Sequence, residues 1–217
     1  MCRKTERENW EHVIAVTNRK LTARPYMEQI ERICLKRPEA VLVREKDLSE
    51  EEYGRLASEV YAICKRYEVP CIYHTFVQAA REAGAAAIHL PLPLLRKHGG
   101  KKGLPEFPVI GASVHSLEEA KEAELLGVSY LTAGHIYQTD CKKDLKPRGL
   151  GFLREVCQSV SVPVYAIGGI HMGSGQMEEV MQAGAAGGCV MSGGNAGVKQ
   201  ASLDSENLLI VWTAFGQ

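Results

Sequence analysis

The sequence predicts an α/β fold, a single (β/α)8 TIM-barrel domain over residues 1–217. Three observations predict it. Short β-branched runs alternate with amphipathic helical stretches from one end to the other, the pattern of parallel strands joined by helical crossovers. Eight such units fit in 217 residues, the number that closes a barrel of minimal size. Polar residues also recur at strand ends around the whole chain. An open doubly wound sheet shares the alternation but gathers its functional residues at one switch point.

The expected strands are His12–Thr17, Ala40–Glu45, Cys71–Thr75, Ala86–Leu90, Val109–His115, Tyr130–His135, Val162–Gly168 and Gly187–Met191. Each is a short apolar run bounded by turn or charged residues, as strands buried on both faces require. Between the second and third lies a helix over Ser49–Tyr67, with Ser49 as N-cap and Glu52 three residues on, the capping-box spacing. Ser116 and Glu119 repeat the device for Ser116–Leu126, and Gly127 supplies the left-handed residue that ends it. After the eighth strand GGNAGVKQASL reads as loop, and Asp204–Phe215 as a short final helix. No linker, low-complexity tract or second domain interrupts this order.

The bulk numbers agree with one packed α/β unit: 45% of residues are hydrophobic and 24% charged. Twenty-six basic side chains cancel 26 acidic ones, so no global field draws the chain to nucleic acid or a membrane surface, and any anion site has to be local. No apolar run is long enough to span a bilayer, and MCRKTERENWEH has no signal-peptide apolar core. The seven cysteines include no CxxC pair. Cys34, Cys64 and Cys157 fall at ordinary helix positions, so the expectation is a reduced, cytoplasmic protein.

Chemistry concentrates at strand ends. Arg44 and Lys46 alternate with Val41 and Val43, so the two cations share one face at the end of the second strand. There they either clamp a phosphate or carboxylate, or form a structural ion pair with Glu45, Asp47 or a neighbouring loop. Ser113 and His115 share a face of the fifth strand. His135 ends the sixth and opens a polar loop, GHIYQTDCKK, that carries Thr139, Lys142 and Lys143. Imidazole takes and gives a proton near neutrality, so His135 is the candidate acid/base. His89 and His115 read as mainly structural, and Cys141 as an ordinary loop residue despite its lysine neighbours. AIGGI (Gly168, Gly169) and VMSGG (Ser192, Gly193, Gly194) follow strands seven and eight, where barrels commonly hold phosphate on backbone N–H groups. There is no HxH on the first strand, no HExxH and no close Cys/His pairing, so a metal is not indicated.

VREKD at Val43–Asp47, GASVHSLEEA at Gly111–Ala120, GHIYQTDCKK at Gly134–Lys143, VPVYAIGGI at Val162–Ile170 and VMSGG at Val190–Gly194 together resemble the thiamin phosphate synthase/TenI superfamily over nearly the whole chain. Within it the chain is most similar to the thiazole tautomerase (TenI) branch. The resemblance to the synthase implies Mg²⁺ held by two aspartates, one in an Asn-Asp pair ending strand three and one in a Gly-Gln-Glu-Asp turn after strand four. This chain has His74-Thr75 and Pro91-Leu92-Pro93-Leu94 there, and His135 where the synthase usually carries proline. All three departures point to the tautomerase.

That branch converts a dihydrothiazole carboxylate phosphate into the aromatic carboxythiazole phosphate by acid/base chemistry, with no metal and no cofactor. The resemblance implies His135 as the acid/base residue, and Gly169, Ser192 and Gly193 as the phosphate site. By residue type and placement, Arg44, Lys46 and Lys142 are the candidates for the substrate carboxylate, with Ser113 and Thr139 lining the pocket. His74 is an unusual occupant and a candidate second acid/base. The implied partner is a small phosphorylated thiazole, and a homodimer follows by family analogy. Two other readings stay open: a thiamin phosphate synthase with a rebuilt metal site, and a non-catalytic barrel that binds thiazole phosphates as a regulator.

Overall fold

Eight parallel strands pair in chain order and close on themselves: β1 (Val13–Val16), β2 (Ala40–Val43), β3 (Cys71–His74), β4 (Ala87–Pro91), β5 (Val109–Val114), β6 (Tyr130–Gly134), β7 (Val164–Ile167) and β8 (Gly187–Met191). The structure, a computed structural model, describes residues 10–139 and 145–191. Closure runs through β1 and β8, with Val13 opposite Gly188 and Val16 opposite Met191. This excludes the open doubly wound sheet. Helices α1 (Tyr26–Cys34), α2 (Glu50–Arg66), α3 (Val77–Glu82), α4 (Leu92–Lys97), α5 (Gly100–Gly103), α6 (Leu117–Leu125), α7 (Gly149–Ser159) and α8 (Gln176–Gln182) occupy the crossovers.

Strand alternation divides the apolar side chains into two cores. Ile14, Val16, Leu42, Ile72, Tyr130, Tyr165 and Cys189 fill the barrel interior. Val13, Val41 and Val43 point outward and pack with Ile30, Val60 and Ile63 of the helix layer. The barrel interior is therefore a packed core, not a pore.

Helix α2 begins with the expected reciprocal cap: Ser49 accepts from the Glu52 N–H, and the Glu52 carboxylate accepts from the Ser49 N–H at 3.0 Å. Three glutamates in its first turn and Lys65 and Arg66 in its last oppose the helix dipole. At α6 the Ser116 hydroxyl accepts from Glu119 N–H, but the Glu119 carboxylate accepts from the His115 N–H instead of that of Ser116. Gly127 ends this helix at φ +81°.

Most expected strands overrun the observed ones by one or two residues, and the reasons are local. Thr75 (φ +68°) and Gly168 (φ +100°) turn the chain out of the extended region. The Arg44 N–H leaves the ladder to donate to Thr17 Oγ1 at 3.0 Å. Pro91–Leu94, which stands where the resemblance puts a turn, is strand end and helix start instead. Pro91 is the last residue of β4, and α4 starts directly at Leu92 with proline in its first turn, where no N–H is missed. The final helix expected over Asp204–Phe215 lies outside the described residues. Among those described, no helix is long and apolar enough to cross a membrane.

Candidate active site

The C-terminal ends of all eight strands surround a cavity of about 280 Å³, the position at which TIM barrels carry their chemistry. Arg44 and Lys46 reach it from the end of β2. The carboxylates beside them are engaged elsewhere. Glu45, 2% exposed, accepts from Thr17 Oγ1 at 2.9 Å, Arg19 N at 3.0 Å and Tyr26 OH at 3.2 Å, and pairs with the Arg19 guanidinium at 3.1 Å. Asp47 pairs with Arg19 at 2.6 Å and Lys20 at 2.9 Å. Arg44 forms no ion pair among the described residues, so its charge faces the cavity, and the Glu45 or Asp47 pairing weighed for it from sequence is not what forms. The cavity lining contains no Asp or Glu among the described residues.

Two histidines form the wall next to these cations. Tyr53 of α2 sets the backbone there, donating to Val43 O at 2.9 Å and accepting from His74 N–H at 2.7 Å. The His74 and His89 rings stack 5.8 Å apart at 13°. His74 Nδ1 lies 2.7 Å from Thr75 Oγ1. Burial, then His89, Lys46 and Arg44, pushes the His74 imidazole down to about 2. Burial and Lys46 push His89 down to about 3. Both rings are therefore neutral near pH 7, and the positive charge of this wall belongs to Arg44 and Lys46.

His89 continues into a hydrogen-bonded cluster. Its Nδ1 lies 3.0 Å from Tyr130 OH and its Nε2 2.8 Å from Ser113 Oγ. Thr132 Oγ1 donates to the same serine oxygen at 3.2 Å. Gly111 makes room for this, because a Cβ there would stand 2.2 Å from Tyr130 Cζ.

Across the cavity, His135 follows β6 with 7% of its surface exposed. Its Nε2 lies 3.3 Å from the Leu145 carbonyl oxygen, which only accepts, so this nitrogen is the donor. The loop is held from both sides. Ile136 N–H donates to Ile167 O at 3.0 Å and Tyr137 N–H to Gly168 O at 2.9 Å, while Arg148 N–H donates to His135 O at 3.0 Å. His115 donates from Nδ1 to Gly134 O at 2.7 Å. Glycine is required at the facing turn: a Cβ on Gly168 would meet His135 Cβ at 2.4 Å, and one on Gly169 (φ +72°) would meet Gln138 O at 2.3 Å. The AIGGI turn therefore seats the histidine loop as well as lining the cavity.

Of the residues singled out from sequence, Arg44, Lys46, Ser113, Thr139, His135 and Gly169 all line this one cavity. Lys142, Ser192 and Gly193 lie outside the described residues, as does Cys141. His89 and His115, read as mainly structural, also line the cavity, and so does His74. Tyr130 and Thr132 were not singled out. Period-two alternation with Gly134 marks them as inward-facing, a signal present in the sequence. Among the described residues, no group of three or more His, Cys, Asp or Glu side chains is placed to hold a metal ion.

Residues 13–193 match the family model described as thiamine monophosphate synthase (TMP-TENI). The chain is 37% identical over 156 residues to a putative thiamine-phosphate synthase 2 of Aquifex aeolicus, covering 72% of this chain and 83% of that protein. It is 35% identical over 153 residues to a thiamine-phosphate synthase of Coprothermobacter proteolyticus, covering 70% and 72%. Among solved structures it is similar to thiamine phosphate pyrophosphorylase from Pyrococcus furiosus, with a TM-score of 0.70 at 29% identity over 86% of this chain and 87% of that one. These names favour the synthase over the tautomerase expected from the sequence.

Proposed function

Because the chain belongs to the thiamine monophosphate synthase (TMP-TENI) family, we propose that its barrel-mouth cavity takes a small phosphorylated thiazole and isomerises it by acid/base chemistry at His135. The observation that carries this reading is that the buried His135 imidazole and the cations Arg44 and Lys46 line the same cavity, whose described lining has no carboxylate. In this reading Arg44 and Lys46 hold the substrate carboxylate, with Lys142, and Ser113 and Thr139 flank the ring. Gly169, Ser192 and Gly193 hold the phosphate. With Nε2–H committed to Leu145 O, the lone pair of neutral His135 sits on Nδ1. Nδ1 takes a proton from a ring carbon, and the C–H electron pair enters the ring. The exocyclic double bond then takes a proton back, and the ring is aromatic. Aromatisation supplies the driving force; the protein supplies position and a proton carrier.

A second reading, coupling of an aminopyrimidine diphosphate to a thiazole phosphate, is favoured by the names of the relatives. Family resemblance places Mg²⁺ on two aspartates in that reaction. The residues at those positions fit the ion poorly: Thr75 offers only a neutral hydroxyl, already 2.7 Å from His74 Nδ1, His74 is held neutral beside two cations, and Pro91–Leu94 offers no side-chain oxygen. A hard cation needs oxygen donors. Supplying each substrate set in turn tests the choice. The isomerase reading expects aromatic carboxythiazole phosphate to form at an undiminished rate in EDTA, and no Mg²⁺-dependent coupling. Thiamin phosphate formed from the two coupling precursors with Mg²⁺ would overturn it in favour of the synthase.

A further inference from the structure

We propose that Tyr130 and His89 are positioning residues that fix the Ser113 hydroxyl as a hydrogen-bond donor toward the ligand, so that the β5 wall of the cavity selects an acceptor group. The identity of that group as a thiazole carboxylate or ring heteroatom rests on the reading above; the orientation of the hydroxyl does not.

The argument begins at Gly111, which stands opposite Tyr130 in the β5–β6 register. A Cβ at Gly111 would lie 2.5 Å from the Tyr130 hydroxyl oxygen, so the absent side chain is what lets the phenol lie across the barrel interior. Tyr130 is 7% exposed and His89 1%. Among the described residues the one hydrogen-bond partner of the phenol is His89 Nδ1, at 3.0 Å. Were Nδ1–H the donor, the phenolic hydrogen would be buried with nothing to accept it, the more costly arrangement. The phenol therefore donates to Nδ1. An imidazolium would leave the same orphan, and burial with Lys46 nearby already holds His89 neutral at ordinary pH.

A neutral ring that accepts at Nδ1 carries its hydrogen on Nε2. That hydrogen points to Ser113 Oγ at 2.8 Å, and Thr132 Oγ1 donates to the same oxygen at 3.2 Å. A serine oxygen has two lone pairs, and both are then used. What Ser113 retains is its own hydrogen, and the side chain lines the cavity. A ligand oxygen or ring nitrogen can accept that hydrogen. An amino group placed there would point N–H toward an oxygen with no lone pair left. Three buried groups thus convert an ambivalent hydroxyl into a one-way donor.

The test is a long-range ¹H–¹⁵N spectrum of the full chain labelled at imidazole nitrogens, with His89 identified by its loss in His89→Gln. The expected result is a neutral Nε2–H ring in the parent at pH 7, with the Nδ1–H form appearing in Tyr130→Phe. An Nδ1–H ring or an imidazolium in the parent would overturn the proposal, whether or not the variant folds. Binding of carboxythiazole phosphate should weaken about tenfold in Tyr130→Phe, the scale of one hydrogen bond. Adding Ser113→Ala to that variant should cost little more. Losses that add independently would count against the relay. An Nε2–H ring in a protein that binds no carboxythiazole phosphate would support the relay and overturn the thiazole reading instead.

Discussion

His135 donates from Nε2 to the carbonyl oxygen of Leu145 across 3.3 Å. A backbone oxygen thus orients the ring, while the Leu145 side chain stands 57% exposed. Leu145→Ala should therefore leave turnover within about twofold of the parent, as exposed substitutions do. Steady-state kinetics on the purified variant checks this. A large loss would mean that the side chain, not the carbonyl, serves the site.

Gly168 is the other support of His135. An alanine there would combine φ +100° with a contact of 2.4 Å to His135 Cβ. Gly168→Ala should lower stability by about 1–3 kcal/mol and, in the folded fraction, reduce turnover more than phosphate affinity. Chemical denaturation and product titration separate the two effects. Gly151→Ala, at a position with open space around it, is the control.

His74 and His89 make stability depend on acid. Both have folded values far below the unfolded 6.5, at about 2 and about 3. Below pH 6.5 the unfolded chain binds protons that the folded chain refuses, so the stability is complete above 6.5 and is lost as pH falls toward the folded values. Each ring should contribute a slope of about 1.4 kcal/mol per pH unit. Denaturant midpoints at pH 7, 6 and 5 should show this, and His74→Gln should remove about half the slope. A parent slope that the variant leaves unchanged would contradict the assignment.

Arg44 is the cation whose neighbouring carboxylates are taken, Glu45 and Asp47 both pairing with Arg19. Arg44→Gln should weaken carboxythiazole phosphate about 10–100-fold, the range of a charge-assisted hydrogen bond of 1.5–3 kcal/mol. Inorganic phosphate, assigned to the other side of the mouth, should lose much less. Calorimetric titration of both ligands distinguishes a carboxylate clamp from a general positive field.

The barrel is legible because short apolar runs and helical stretches alternate through β8, and Ser49, Glu52 and Gly127 mark helix ends that the structure reproduces. The strand ends are less so, because they depend on backbone turns such as that at Thr75. At Pro91–Leu94 the family resemblance implies a turn, but the local residues start a helix, since proline in a first helical turn costs nothing. His89 looked merely structural because its importance arises from register. Only the pairing of β3 with β4, β4 with β5 and β5 with β6 brings it beside His74 and under Tyr130. Those contacts connect residues 15 and 41 positions apart, and periodicity carries no information about them.

The central claim is proton transfer at His135, and the direct measurement is turnover per folded molecule of His135→Asn beside its affinity for the aromatic product. Asparagine keeps polarity and approximate size but cannot accept and return a proton near pH 7. The account predicts a fall in turnover of about 10²–10⁴-fold with product affinity nearly unchanged, since the phosphate contacts are assigned to other strands. A folded His135→Asn protein with near-parental turnover would contradict it.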